Sequence, residues 1–571
     1  MQHRSLIPLI QKNASIGAVD AYADLDYLRG CFVDAGWLGI ARDCSDRRSI
    51  VLGRTGSGKS ALLLELARVE ANVIQIDPSD FAFRYVENSS IIQFFQAAGV
   101  NLDLFYRLLW RHVLVVELLR KRYKLEHQSD AHGLLEQIGQ WVKFNPGRAA
   151  ALEYLRHWGE RFWEPTEVRA KELTTRFEDE LRAGAQVDSA LLNLGAHGAT
   201  KLLDEQKEEI IHRGNEVVSS IQIRELRDII VLLGERVFTN PRERCYVVID
   251  KLDDNWAQDQ TRYHLIKALI EEIRSFREIP NIKILVAIRQ DLLLEVIDQT
   301  RNAGFQEEKY QDYYLDLRWA RPDLVGLIDR RVVELYRRQG VILGDGCRDV
   351  LPPAKRGLPD PLQYIIQRTL MRPRDVIAFF NECLRLGAGR DRISWKTIRA
   401  AESSYSDRRL KAIQDEWRAH YPSIDHILEL LRGLPSIFDR SDVHPDRIAG
   451  VIIECVQTKG NDACIHMAQK LVSPDNKLSN SNFLDEAFRI LYKIGVVGIK
   501  VEINDPVSWS FLHEDGVTIG TIRRAIQFHV HKMMWNALGT RTVDGDVAIL
   551  DEDDESYATG GNRGSGVPGD R

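Results

Sequence analysis

Five short apolar runs stand out along the first part of the chain: Ser49–Leu52, Asn72–Ile76, Cys245–Ile249, Ile282–Ile288 and Tyr313–Leu317. Each has the length of a strand, and the first four are closed by Gly53, Asp77-Pro78, Asp250 and Arg289-Gln290-Asp291. Between them the apolar positions recur at helical spacing. Ala61–Ala67 opens one helix, and 102–127 reads as a long amphipathic helix through Leu102, Phe105, Leu108, Leu109, Val113, Val116, Leu118 and Leu119. Further helices are predicted over 221–238 and 260–278. Strands that alternate with helices predict an α/β fold with a parallel sheet and right-handed crossovers.

The stretch 128–225 carries no strand pattern. Its helical runs are rich in Glu, Lys and Arg of alternating sign, which predicts exposed helices laced by i,i+4 pairs. It is expected to be a helical insertion, either a partner-docking arm or a solvated hairpin. From 321 the pattern is helical, with Leu324–Arg338, a helix opened by Arg372-Pro373-Arg374-Asp375, and a polar helix over 395–418. A separate module is expected from 421. It has helices at 423–433 and 482–494, a hairpin from Gly495–Val501 and Ser508–His513, and a last helix over 517–538. That order is similar to a winged helix. The expected organisation is therefore a lead-in over 1–48, an α/β core over 49–320, a helical lid over 321–420, the winged-helix-like module over 421–540 and an acidic, Gly-rich tail over 541–571, whose composition predicts disorder.

The first strand runs into Gly53-Arg54-Thr55-Gly56-Ser57-Gly58-Lys59-Ser60, which satisfies G-x-x-x-x-G-K-[ST], and Ala61 continues into a helix. The glycines let successive backbone N–H groups turn inward toward phosphate oxygens, and the helix N-terminus adds its dipole to the same anion. Gly53 to Ala61 is thus the candidate ATP-binding stretch. Lys59 is expected to reach the β- and γ-phosphates and the Ser60 hydroxyl to ligand Mg²⁺. Apolar residues ending in Asp250 form the matching strand whose acid supports the metal. Asp250 stands 191 residues after Lys59, far more than a compact domain of this kind requires, which agrees with an insertion.

The chain has 571 residues, 44% hydrophobic and 28% charged, with a formal net charge of −6. That balance excludes a global basic field for nucleic acid and leaves room for a local one. Seven cysteines without a C-x-x-C pair indicate neither a disulfide framework nor a zinc ribbon, and Cys455, Cys464 and His466 are expected to be core or surface residues. No apolar run is long enough to span a membrane, so a cytoplasmic protein is expected.

The order of parts, and the segment Ile249-Asp250-Lys251-Leu252-Asp253-Asp254-Asn255-Trp256, resemble the AAA+/STAND superfamily of P-loop ATPases, near the KAP and origin-recognition groups, over about residues 25–540. The resemblance implies an ATP-driven switch in bacterial antiphage defence or a DNA transaction. It places Arg289 where a strand-end residue senses the γ-phosphate, and Arg372 or Arg374 where a second sensor arginine is common. Ordinary roles stand beside these: Arg289 paired with Asp291, Arg372 and Arg374 as surface charges, Asp253 as a helix cap. Lys251 occupies the position where the superfamily has a water-orienting acid, so Asp253 and then Asp254 are the candidate bases. Slow or partner-dependent hydrolysis is expected, with the Lys251 charge favouring the bound phosphates. The expected partners are ATP and ADP, a second copy or an effector protein, and DNA through the C-terminal module by way of Arg489, Lys493, Lys500, Arg523, Arg524 and Lys532. The alternatives are an origin-recognition-like DNA-binding ATPase and a nucleotide-binding scaffold without turnover.

Overall fold

The computed structural model describes residues 9–542 apart from 81–85, 87, 126–127, 144–148, 160, 162–163, 185–187, 226, 255, 258, 301–306, 354–357, 475–477 and 513–516. The expected tail from residue 543 on and the His513 end of the expected hairpin lie outside the described residues. The chain divides into two compact units, one over 34–318 and one joining 1–33 to 319–571.

In the first unit the five apolar runs become β1 (Ile50–Gly53), β2 (Val73–Ile76), β3 (Cys245–Ile249), β4 (Ile282–Arg289) and β5 (Tyr314–Asp316). They form one parallel sheet in the order β2-β3-β4-β1-β5. Every residue of β3 is buried, as expected for a central strand covered on both faces.

Two expectations are corrected here. Helix Asp103–Tyr123 is enclosed rather than half-exposed: Trp110, Val113, Leu114, Val115, Val116, Leu118 and Leu119 are all fully buried, and the polar Asp103, Arg111 and His112 are buried with them. The cover is supplied by the segment expected to be a partner-docking arm or a solvated hairpin. Helices Gln128–Lys143, Ala149–Gly159 and Thr166–Gly184 contribute Leu134, Ile138, Trp158, Phe177 and Leu181 to the same core as the sheet strands. Phe105 stacks on Phe177 with ring centroids 4.1 Å apart, and the buried Arg169 pairs with Glu117 at 2.8 Å. Facing the same helix from the other side, helix Asp259–Phe276 is keyed by Trp110 Nε1, which donates to the Leu265 carbonyl at 2.8 Å, and by Arg111 Nη2, which donates to Glu272 at 3.0 Å.

In the second unit, residues 10–33 pack on helix Arg321–Arg338 rather than acting together with 34–48 as one lead-in. Arg331 ties them down, pairing with Asp24 at 2.5 Å and donating to the Ile16 carbonyl at 2.8 Å. Further on, β6 (Ile437–Phe438), β7 (Val497–Lys500) and β8 (Gln527–Val530) form an antiparallel sheet in the order β6-β8-β7. Helices Pro445–Gln457, Ala463–Val472 and Asn480–Lys493 accompany it. The helix expected over 517–538 is instead helix Ile519–Arg524, β8, and a short helix Trp535–Leu538. Phe528 and Val530 are buried while Gln527 is exposed, a period of two that a helical reading misses. Phe528 packs on Phe488 at 4.4 Å between centroids. Ser508 makes only an isolated bridge to Ile499, and β8, not the segment after the turn, is the main partner of β7.

If 128–225 is core rather than arm, Phe177→Ala lowers the unfolding free energy of this unit by about 3–5 kcal/mol, the usual cost of emptying a buried aromatic site. Denaturant titration reads it; an unchanged midpoint would restore the solvated arm.

The same packing makes stability acid-sensitive. His112 is fully buried, shares a hydrogen bond with the Tyr154 hydroxyl, and is held well below its ordinary value first by desolvation and then by Arg169, Arg176 and His157. The folded state therefore keeps it neutral, while the unfolded chain takes up a proton below about pH 6.5. Stability is expected to fall as pH drops below that value, by up to about 1.4 kcal/mol per pH unit from this group. His112→Phe should remove one proton from the measured slope; an identical slope would count against the assignment.

Candidate functional site

The loop between β1 and helix Lys59–Val69 is built by its glycines. Gly56 and Gly58 have φ of 79° and 96°, the left-handed region that side chains resist. A Cβ on Gly53 would lie 2.3 Å from the Ser57 hydroxyl oxygen. Ser57 N–H donates to the Arg54 carbonyl at 3.1 Å, closing a turn, and Leu62 N–H donates to the Gly58 carbonyl at 3.0 Å, starting the helix. Thr55 lies within that turn, and Lys59, Ser60 and Ala61 form the first turn of the helix. The Lys59 ammonium donates to the carbonyls of Gly53 and Arg54 at 3.0 and 3.2 Å. Desolvation lowers its pKa to about 8, against the opposing pull of Asp253 and Asp250.

Sheet order sets what stands beside this loop. β4 lies between β1 and β3, and Gly53 is in register with Arg289. Asp250 follows the last residue of β3, and its Oδ1 accepts the Lys251 N–H at 2.9 Å. The loop after it is pinned by Leu252 and Trp256, both buried, with Trp256 Nε1 donating to the Leu252 carbonyl at 3.1 Å. Asp253 and Asp254, between those anchors, are exposed. Partial desolvation by the surrounding loop pushes the Asp254 carboxyl up, with Asp253 and Asp77 adding to it. Arg289 is shared: it pairs with Asp291, Nε donating at 3.1 Å, and with Asp253 at 3.5 Å. Lys59, Asp250, Asp253 and Arg289 are thus brought together at one end of the sheet.

Lys251 departs from its expected part. Its backbone is left-handed at φ 60°, and its ammonium pairs with Asp77 at 2.7 Å. The charge is committed to a carboxylate at the end of β2, not left for phosphates. Asp77 is the residue that sequence reasoning missed. Burial works against its charge, yet hydrogen bonds from Lys251 and Ser79 hold its pKa below the ordinary range. The available signal was its place: an acid closing the strand that neighbours β3.

Arg372 and Arg374 belong to the second unit. Arg372 is buried and donates to Asp375 at 2.9 Å, with Glu416 at 3.8 Å and a second arginine, Arg409, 3.3 Å from Asp375. Burial, and then Arg372, lower the Arg374 pKa, and its Nε makes no hydrogen bond among the described residues. Of the basic side chains expected to meet DNA, Arg489 pairs with Glu486 at 2.8 Å and Arg523 with Asp485 at 2.8 Å. Lys493 sits over the Tyr421 ring and Lys532 over Trp535. Cys455 and Cys464 are buried and His466 is exposed. Among the described residues no group of three or more His, Cys, Asp or Glu could hold a metal ion, and no helix is long and apolar enough to cross a membrane.

Residues 322–414 match a family described as the FunZ-associated C-terminal helical domain. They cover helix Arg321–Arg338, helix Pro373–Leu386 and most of helix Trp395–Trp417. Over 547 residues the chain is 22% identical to an Escherichia coli K12 protein of 80.3 kDa named for transposon gamma-delta, covering 93% of this chain and 68% of that protein.

Proposed function

We propose that the chain is a P-loop ATPase that works as a nucleotide-dependent switch. The observation that carries this is the strand–loop–helix at 50–69, with Gly56 and Gly58 left-handed and Lys59 against the loop carbonyls, beside a strand that ends in Asp250. In this reading the loop amides and Lys59 hold the phosphates. Ser60 and Asp250 supply a hydroxyl and a carboxylate, the hard oxygen donors that Mg²⁺ takes while keeping several waters. The metal's part is to neutralise charge on the phosphates. Arg289 faces the γ-phosphate from the end of β4. A bound phosphate competes with Asp253 for it, and so frees that carboxylate to orient water. Nucleotide state and the position of the loop over 250–256 are coupled through that exchange.

A second reading is a nucleotide-binding scaffold without turnover, favoured by Lys251 in place of an acid and by the hold of Arg289 on Asp253. Either version suits a switch in antiphage defence or a DNA transaction, the latter in keeping with the name of the E. coli relative. The intramolecular partners of Arg489, Arg523, Lys493 and Lys532 favour a protein partner, or a second copy, over duplex DNA at the C-terminal module.

Lys59→Ala is expected to weaken Mg²⁺–ATP binding roughly ten- to a hundredfold, the worth of a charge-assisted hydrogen bond of about 1.5–3 kcal/mol. In the wild type the affinity should fall as pH rises above about 8, by up to about tenfold per unit, because phosphate prefers the protonated lysine. Calorimetry that shows equal affinity for the variant, or none of this pH dependence, would overturn the assignment of Lys59.

Asp253→Asn is expected to abolish turnover and spare ATP binding, while Asp250→Asn weakens the Mg²⁺ complex. No turnover in the wild type under any partner condition supports the scaffold; full activity in Asp253→Asn moves the base to Asp254.

A further inference from the structure

At the opposite end of the sheet from the glycine-rich loop, the first unit holds a cleft of about 770 Å³. It opens where β1 and β5 begin and where helix Asp259–Phe276 ends. Four arginines from three parts of the chain face it: Arg47, Arg107, Arg274 and Arg277. Tyr310 and Tyr313 line it as well.

A cation in the last turn of a helix ordinarily serves the helix dipole, and that accounts for Arg274 alone. It does not account for Arg47, which precedes β1, nor for Arg107 from the far helix. Among the described residues two acids, Glu271 and Glu278, line the cleft beside the four arginines. Their engagements are weak or partial. Arg47 pairs with Asp312 at 3.6 Å with both side chains exposed, and Arg107 stands 3.5 Å from Glu272 and 3.9 Å from Glu271. Arg277 donates to the Tyr313 hydroxyl at 3.0 Å. Among the described residues the exposed Arg274 guanidinium makes no hydrogen bond or ion pair.

We propose that this cleft binds a nucleotide, free or as one unit of a single strand, with the arginines on phosphate and the half-buried Tyr310 ring toward the base, Tyr313 being buried and holding Arg277. Guanidinium forks match phosphate oxygens, aromatic faces accept any base, and the volume suits a ligand of that size. The site is separate from the ATP-binding loop and does not depend on it.

The test uses the full chain carrying Lys59→Ala, which weakens binding at the loop, and two probes followed by fluorescence anisotropy: a labelled adenosine monophosphate and a labelled short oligothymidine. Binding of either probe is expected, and binding of the oligonucleotide alone assigns the single strand as the source. Arg274→Glu with Arg277→Glu should lower affinity by a hundredfold or more. Arg274→Gln, a neutral change at an exposed position, should lower it about tenfold and guards against a misfolded double variant. No binding of either probe, or equal affinity in Arg274→Gln, overturns the proposal. Neither result bears on Lys59, whose role is read in the otherwise wild-type chain.

Discussion

Covering helix Asp103–Tyr123 on every side is the constraint that organises the first unit. Its central residues are buried all round, the polar Arg111 and His112 among them, so no face is left for water. One side is met by helix Asp259–Phe276 and the other by the helices after residue 128. Polar groups key the fit. Asp103 meets Lys267 and His264, Arg111 meets Glu272, and each is buried enough that loss of one partner would strand a charge. Because these pairs join residues more than 150 positions apart, they align the helical layer with the strands that bracket it.

That alignment leaves the two ends of the sheet with different chemistry. At the end where β1, β3 and β4 finish, a lysine, an arginine and acidic side chains crowd around a glycine-rich turn. Lys59 is depressed by desolvation, Asp254 is raised by partial desolvation, and Arg289 is divided between Asp291 and Asp253. At the other end, arginines outnumber acids around an open cleft.

Local signals carried much of this. All five strands, the glycine-rich loop and the helix after it were legible because each depends on a short run of residues: apolar stretches closed by turn formers, and glycines where only left-handed backbone suffices. Asp250 was legible for the same reason. Phe528 and Val530 were not, since a four-residue strand between two short helices leaves too few periods to tell two from 3.6.

What the sequence by itself determined is the set of elements and the residue types at their ends. Tertiary structure alone decided which ends meet. Sheet order set Arg289 between the loop and Asp250. It also brought Asp77 to Lys251 across 174 residues, so a charge that the sequence would aim at phosphate is spent on a neighbouring strand. It turned the apolar face of the charged 128–225 segment onto helix Asp103–Tyr123, and it buried Arg372 against Asp375. Spacing along a chain records none of this, because burial and ion pairing depend on distance through space.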